Sequence, residues 1–418
     1  MMTQAYYTGI SGLKSSSYGI DIVSDNLANV NSAGYRGNDY EFASLFEDTV
    51  ATTSNIPSNS VGIGTRVQAT PMTQEQGSLL LSERSTDLAI SGEGWFGVED
   101  NGKQVFTRKG AFLFDKERDL VTEDGNYVLG TIGGNISGEI LTQPLAEVPL
   151  GDVSSQEKLR FPKTLTYPSQ STTKAQFFGN IGTTPELRTM SAEVIDPDGI
   201  RNELKLEFSM VEPQISPGTQ WNVTATTQDR NDNTIIYDSQ QGVVTFDATG
   251  ALLSATLPQI DNNGTPVTID LGSGYSGVTA VANSDISASS SSDGMISGDL
   301  VGYDINENGE VLATFTNGIQ SSVGKIAVYH FQNDQALDRL SGTNFQASSN
   351  SGKPIFYKDS SGKNILGSDI SNFKLESSNV DMTVGLTDLI ILQRTYDANS
   401  KTITTADEMI QKALNMDA

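Results

Sequence analysis

Gly92, Gly94 and Gly97 form a G-x-G-x-x-G run directly after the apolar Leu88-Ala89-Ile90. In a dinucleotide-binding fold that spacing lets a tight turn bring backbone N–H groups and a helix N-terminus to a pyrophosphate. Here Val98-Glu99-Asp100-Asn101-Gly102 follows, which reads as a strand entering a hairpin, so the helix is missing and the glycines are expected to serve a β-turn. Asp304, Asn306, Asn308 and Gly309 repeat the first half of a calcium loop, but Phe315 stands where the bidentate Glu belongs; a hairpin is expected. The acid pairs Asp196/Asp198 and Asp407/Glu408 would need a pocket and shifted pKa values for proton transfer, and a solvated face is expected instead. His330, the only histidine, lies in the alternating run Ile326–Phe331 and is expected to point outward. With no Cys besides, the chain supplies no disulfide, thiolate nucleophile, multi-His or Cys zinc site, or Ser-His-Asp triad of ordinary spacing. No catalytic residue, metal or cofactor is expected, and the chain reads as a non-enzyme.

What remains is a question of architecture. At 418 residues the chain suggests two to four structural units, and 51 acidic against 26 basic side chains give a net charge of -25. That charge opposes nucleic acid, whose binding depends on Lys and Arg neutralising phosphates, and it opposes an anionic membrane surface. No apolar run approaches the roughly 18 residues that span a bilayer, so no membrane insertion is expected. The first 20 residues lack the basic-then-apolar pattern of a secretory signal, so export would proceed without a cleaved signal peptide.

The two ends differ from everything between them. From Gln4 to about Asn29 there is no Pro, and Tyr6, Leu13, Ile20 and Leu27 recur seven apart with Ile10 and Val23 alongside, a helical stripe. At the other end Met382, Leu389, Tyr396, Ile403 and Ile410 are again seven apart, with Leu392, Asn399, Ala406 and Ala413 three further on. This narrow three-four heptad suits a helix–helix seam, in which Asn399 would fix register; Ser378 and Asp381 have capping-box spacing, placing the start near Val380. Long, thinly apolar helices bury little alone, so the ends are expected to order only against other copies. The competing reading is two amphipathic helices packed on a β body.

Between the ends, residues 31 to 378 read as mostly β, with hairpin dipeptides at Asn101-Gly102, Asp124-Gly125, Asn263-Gly264, Asp293-Gly294 and Asn308-Gly309. A Pro-rich stretch at 143–173 and a Ser-rich one at 283–292 bracket an insert. The expected fold is mainly β with long terminal α-helices: 1–30 and 379–418 pair as a coiled-coil-like inner domain, 31–70 and 366–378 connect, 71–149 and 290–365 form a split β-rich middle domain, and 150–289 is a β-rich outer domain inserted into it. The ends carry net -1 and -3, which leaves -21 of the -25 on the β portion.

At this point the residues resemble the bacterial flagellar axial proteins, the family of rod and hook proteins, and the hook type most. Gly9-Ile10-Ser11-Gly12-Leu13 and the run Asp25 to Arg36, with Asn26, Ala28, Asn29 and Gly34, are similar to the family's N-terminal signature, with Tyr35-Arg36 where Phe-Lys is usual. Tyr40 to Phe46 is similar to the hook-type segment after it. Asp87-Leu88-Ala89-Ile90-Ser91-Gly92-Glu93-Gly94-Trp95-Phe96 and Phe106-Thr107-Arg108-Lys109-Gly110 resemble the shared central motif, with Trp95 replacing the commoner Phe. Phe315 to Gly318 and Ser351 to Pro354 resemble its second half. Residues 393–401, including Gln393, Arg394, Ala398 and Asn399, and then Ala406, Asp407 and Glu408 resemble the C-terminal signature, whereas 150–290 matches only loosely.

The resemblance implies a tubular homopolymer whose paired terminal helices line an export channel, with the split domain as middle layer and the insert as outer layer. Such a hook passes motor torque to the filament as a universal joint. It implies rod, hook-cap and hook–filament junction proteins as partners, passage through the flagellar type III export apparatus, and an extracellular place in the flagellum. A distal rod protein is the alternative, disfavoured by length; a non-flagellar β-rich adhesin is the remote one. Physically, cohesion would sit in Ile10, Leu13, Ile20, Leu27, Met382, Leu389, Leu392, Tyr396, Asn399, Ile403 and Ile410, and compliance in a tether made of Gly34, Gly37 and residues 51–64. Repulsion between the acidic outer domains, screened over about 8 Å at physiological salt, would favour sliding contacts between them.

Overall fold

The computed structural model describes residues 2–46, 62–214 and 217–416. The first helix, α1, spans Met2–Ala28, and the last, α2, spans Met382–Met416, so the chain opens and closes on rods about 40 and 52 Å long. Asp381 starts α2: its Oδ1 accepts the N–H groups of Thr383 (2.7 Å) and Val384 (3.1 Å), which would otherwise lack partners. Ser378 instead accepts the Val380 N–H locally, so no box forms and the helix begins two residues later than the spacing predicts. No described helix is long and apolar enough to cross a membrane.

Between them the described elements are β strands apart from two short 3-10 turns, Val153–Ser155 and Asp334–Ala336, and the strands fall mainly into two bodies. In the first, a fifteen-stranded sheet interleaves two distant stretches of chain. Gln320–Ile326 pairs with Tyr127–Ile132, which pairs with Trp95–Asp100, and Lys103–Thr107 pairs with Asn344–Gln346. Its core holds Leu88, Phe96, Phe112, Val128, Leu159, Phe161, Val311 and Ile326. The second is a sandwich in which a five-stranded antiparallel sheet over 188–255 faces a six-stranded sheet built on Lys174–Asn180. Along Arg201–Met210, Asn202, Leu204, Leu206 and Phe208 turn inward while Arg201, Glu203, Lys205 and Glu207 do not, the period-two pattern of a half-buried strand. Trp221, Phe177 and Phe208 are fully buried between the sheets.

Several boundaries differ from those read in the sequence. Leu159, Phe161, Leu165 and Tyr167 belong to the first core, so the inserted body begins near Lys174; Pro162 and Pro168 lie just outside the short strands Glu157–Lys158 and Thr166–Tyr167. The Ser-rich stretch is a strand, Ser287–Ser292, paired with Lys174–Asn180 across six positions, so the insert ends near 292. Small hydroxyl side chains suppress the apolar alternation that would have revealed it. Asp293-Gly294 closes no hairpin: Asp293 accepts the Thr173 and Lys174 N–H groups where the chain leaves the insert. Residues 369–372 are not a connector, because Asp369–Asn372 pairs with Leu88–Ser91 and Ile370 is buried in the first core.

Candidate assembly site: the terminal helices and the junction at their base

The helices pack antiparallel. A Cβ placed on Gly9, Gly12 or Gly19 would lie 2.7 Å from Ile403, 2.6 Å from the Asn399 amide or 2.9 Å from Leu392, and one on Gly385 would lie 2.9 Å from Leu27. Contacts closer than about 3 Å are excluded for real side chains, so the glycines are what allow this approach. The face of α1 towards α2 is therefore Gly9, Gly12, Ser16, Gly19 and Val23, a three-four repeat of mostly small residues. It lies beside the stripe of Tyr6, Leu13 and Ile20, which flanks the contact, while Leu27, the last of that stripe, packs on Gly385. Ile10, Leu13, Ile20 and Leu27 are half-buried and Tyr6 is exposed. On α2, Leu392 and Ala406 are buried, and Leu389, Asn399, Ile403 and Ile410 are half-buried. Met382 and Tyr396, placed in the seam by the heptad, are 51% and 41% exposed and do not belong to it.

The ends thus find their first partner in the same chain, which narrows the expectation that they gain shape only from other copies. Yet among the described residues α2 has one helical neighbour, and Val384, Leu386, Ile390, Ile391, Met409 and Leu414 are exposed around it. Gln393, Arg394, Ala398, Asp407 and Glu408, singled out as motif positions, also face solvent.

A hairpin, Glu41–Phe46 with Gly62–Ala69, lies along α1, where the Thr65 carbonyl accepts the Ser15 hydroxyl at 3.2 Å. Of the expected tether, 51–61 lies outside the described residues, and the glycine portion is the opposite of loose. Gly34, Tyr35, Arg36 and Gly37 are all buried. Gly34, at φ +69°, sits against the backbone of Arg108 and Lys109 where no side chain fits, and its N–H donates to the Glu376 carbonyl at 2.8 Å. Gly37 N–H donates to Asn379 Oδ1 (2.8 Å), whose Nδ2 donates to the carbonyls of Thr73 (3.1 Å) and Glu75 (2.9 Å). At the end of α1, Asn26 Nδ2 donates to the Asn38 carbonyl (2.8 Å) while its Oδ1 accepts the Asn38 N–H (3.0 Å). Tyr35 donates to Asp25 (2.9 Å), and burial, with Asp25 beside it, pushes the phenol up to about 12. Asn29 Nδ2 donates to the Asp25 carbonyl (2.9 Å), and Ala28 is exposed.

At the centre of this junction is a buried ion cluster. Glu376 Oε1 is 2.7 Å from Arg36 Nη2 and Oε2 is 3.3 Å from Arg108 Nη1, all three side chains being at most 5% exposed. Glu376 Oε1 also accepts the Gly77 N–H (3.1 Å), and Arg108 Nη2 donates to the Gly92 carbonyl (2.6 Å). Burial draws the Arg108 guanidinium down to about 10 even with Glu376 opposing, and lowers Arg36 in the same way. Asp87, paired with Arg84 at 2.7 Å, with buried Leu88, Ala89 and Ile90, carries the strand beside the cluster. Gly110 is forced, because a side chain there would strike the Leu88 carbonyl. The cluster ties together the exit of α1, the first β body and the entry to α2. The sequence singled out Arg108 by resemblance alone; Arg36 and Glu376, about 340 residues apart, carry no local signal of pairing.

The candidates for chemistry resolve structurally. Gly92 and Gly94 take φ +108° and +113° in the turn before Trp95–Asp100, and a strand follows rather than a helix. Asn306 Oδ1 accepts the N–H groups of Asn308 and Glu310, so the calcium-like residues form a hairpin turn. Asp196 caps a turn and accepts from Asn263 (2.9 Å). His330 does not point outward: it is buried, its Nε2 lies 2.6 Å from the Leu366 carbonyl, and its ring stacks on Tyr357. Among the described residues no three His, Asp or Glu side chains converge as metal ligands do.

One β body rooted by buried charge on a pair of terminal helices, one of which is largely bare, and a second β body inserted into the first define a structural subunit with contact surface to spare. Three stretches of the chain match models of flagellar proteins. Residues 7–36 match the model of the flagella basal body rod protein, 89–149 that of the flagellar hook protein FlgE/F/G D1 domain, and 373–416 that of the flagellar basal body rod FlgEFG protein C-terminal. The flagellar hook protein FlgE of Borreliella burgdorferi is 27% identical, covering 99% of this chain and 100% of its own length. That of Escherichia coli K12 is 25% identical at the same coverage of each. The solved hook protein FlgE2 of Helicobacter pylori shares the fold with a TM-score of 0.52 at 17% identity, covering 71% of this chain and all of that one. At both ends and in its central stretch the chain is thus similar to the flagellar rod and hook proteins.

Proposed function

We propose that the chain is the structural subunit of a bacterial flagellar hook, polymerising into a curved tube that carries motor torque to the filament. The observation that carries this is α2, a 35-residue helix with a single helical neighbour and most of its apolar and signature side chains in solvent. So much exposed apolar surface along one helix marks a face that further copies would cover. Full-length similarity to hook proteins, insert included, favours a hook over a distal rod subunit. In the tube, the helix pair is the inner layer around the export channel, the first β body the middle layer and the insert the outer one. The role is mechanical rather than enzymatic. The partners are further copies of the chain, the rod below, the hook cap during growth and junction proteins above. The subunit reaches the cell exterior through the flagellar type III apparatus.

Ile403→Asp tests the reading. Ile403 packs on Gly9 and takes no part in the β cores, so the variant should keep folded β bodies by near-ultraviolet circular dichroism yet form no tubes in electron micrographs. Normal tubes from that variant would remove the terminal helices from the mechanism.

A further inference from the structure

Leu79–Leu81 and Lys374–Glu376 form a separate two-stranded ribbon, with Leu80 opposite Leu375 and Leu81 opposite Lys374. Its tip is bare and apolar: Leu81 is 85% exposed, Leu80 58% and Phe373 43%. Phe373 holds φ +53°, a region that disfavours large side chains, and it is kept there by the Ser82 N–H on its carbonyl (2.7 Å). The other end of the ribbon is Glu376, fixed in the buried ion cluster. A rigid, strained mount that presents three large apolar side chains to solvent marks a contact surface rather than a packing defect.

The occupant follows from the same chain. An open polymer is built from heterologous contacts, so each subunit must bare two different complementary patches. The second is on α2, where exposed Leu386 and Ile390 stand one turn apart, with Asp397 two turns beyond Ile390 on the same face. Both patches are exposed in the one chain, so they do not cover each other within it. Their charges complement: Lys374 flanks the ribbon tip, Asp397 the helix stripe, and neither makes an ion pair among the described residues.

We propose that the Leu80–Leu81–Phe373 tip of one copy seats on the Leu386–Ile390 stripe of α2 in a neighbouring copy, with Lys374 towards Asp397. This rests on the hook reading and names one of its contacts. The absence of Cys from the chain makes the test clean. Leu81→Cys and Ile390→Cys are introduced singly and together, and tubes of each are oxidised and run on a non-reducing denaturing gel; a disulfide requires Cα atoms within about 7 Å. The double variant should give a ladder of multimers when assembled and none when unassembled, and the single variants should give none. Assembled double variant that stays monomeric overturns the contact, as does dimer from Leu81→Cys alone, which would mean that tip meets tip. As a second measurement, Leu80→Lys with Leu81→Lys should raise the critical concentration for assembly at least tenfold with an unchanged β-body spectrum; an unchanged critical concentration also overturns the contact. Failure of the unsubstituted protein to form tubes would instead overturn the hook reading, and the contact with it.

Discussion

At the scale of single residues, Glu376 has the largest consequence for the fold. Its single carboxylate is shared by two guanidiniums that have almost no access to water, so removing it leaves two buried positive charges without their counter-ion. Glu376→Ala should therefore cost about 3 to 5 kcal/mol in urea unfolding of the unassembled subunit, while Lys163→Ala, at the solvent-exposed ion pair with Glu117, should cost under about 1 kcal/mol. A loss at Glu376 no greater than at Lys163 would show that the cluster is solvated. None of this was legible in the chain itself. Arg36 and Glu376 look like ordinary surface charges, and only the folded path brings them together. His330 misled for a related reason: alternation places a residue on a face of a strand, but not under the later loop that covers that face, as Leu366 and Tyr357 do here.

At the scale of elements, both helices were readable from their apolar periods and the absence of Pro, but the seam was read one position to the side. Large apolar residues drew attention to Leu13, Ile20 and Leu27, whereas the contact is centred on Gly9, Gly12 and Gly19, where the backbones come closest. Gly12→Leu should push α1 from Asn399. The expected result is a critical concentration for tube formation raised at least tenfold, with the denaturation midpoint of the β bodies unchanged, whereas Leu13→Ala on the flank should shift assembly less. Equal effects of the two would move the seam back to the larger stripe. The Ser287–Ser292 strand shows the complementary difficulty: with hydroxyls on both faces, it has no apolar alternation to detect, and its pairing with Lys174–Asn180 is decided by tertiary context.

At the scale of the whole molecule, the division into terminal helices, a split β body and an inserted one was legible because each has its own texture: heptads, hairpin dipeptides and composition breaks. The insert has its own core and is joined to the rest by two strands of chain near 173 and 293. Deleting 174–292 behind a short Gly-Ser link should therefore leave a folded remainder that still forms straight, rod-like tubes but fails to give a bent, rotating joint, as scored by micrograph curvature and by swimming. Retained curvature and motility would place bending elsewhere. Flexure at the glycines of 34–37 is already opposed by the hydrogen bonds and buried charge that hold them, so compliance belongs between neighbouring copies. The antiparallel pairing has one more effect. Gly9 meets Ile403, so the opening segment of each subunit is completed by residues that leave the ribosome roughly 400 positions later. A chain that stopped short of Ile403 would keep the glycine face of α1 and lack the helix that closes it, so the paired surface is a property of the long chain and of no shorter piece.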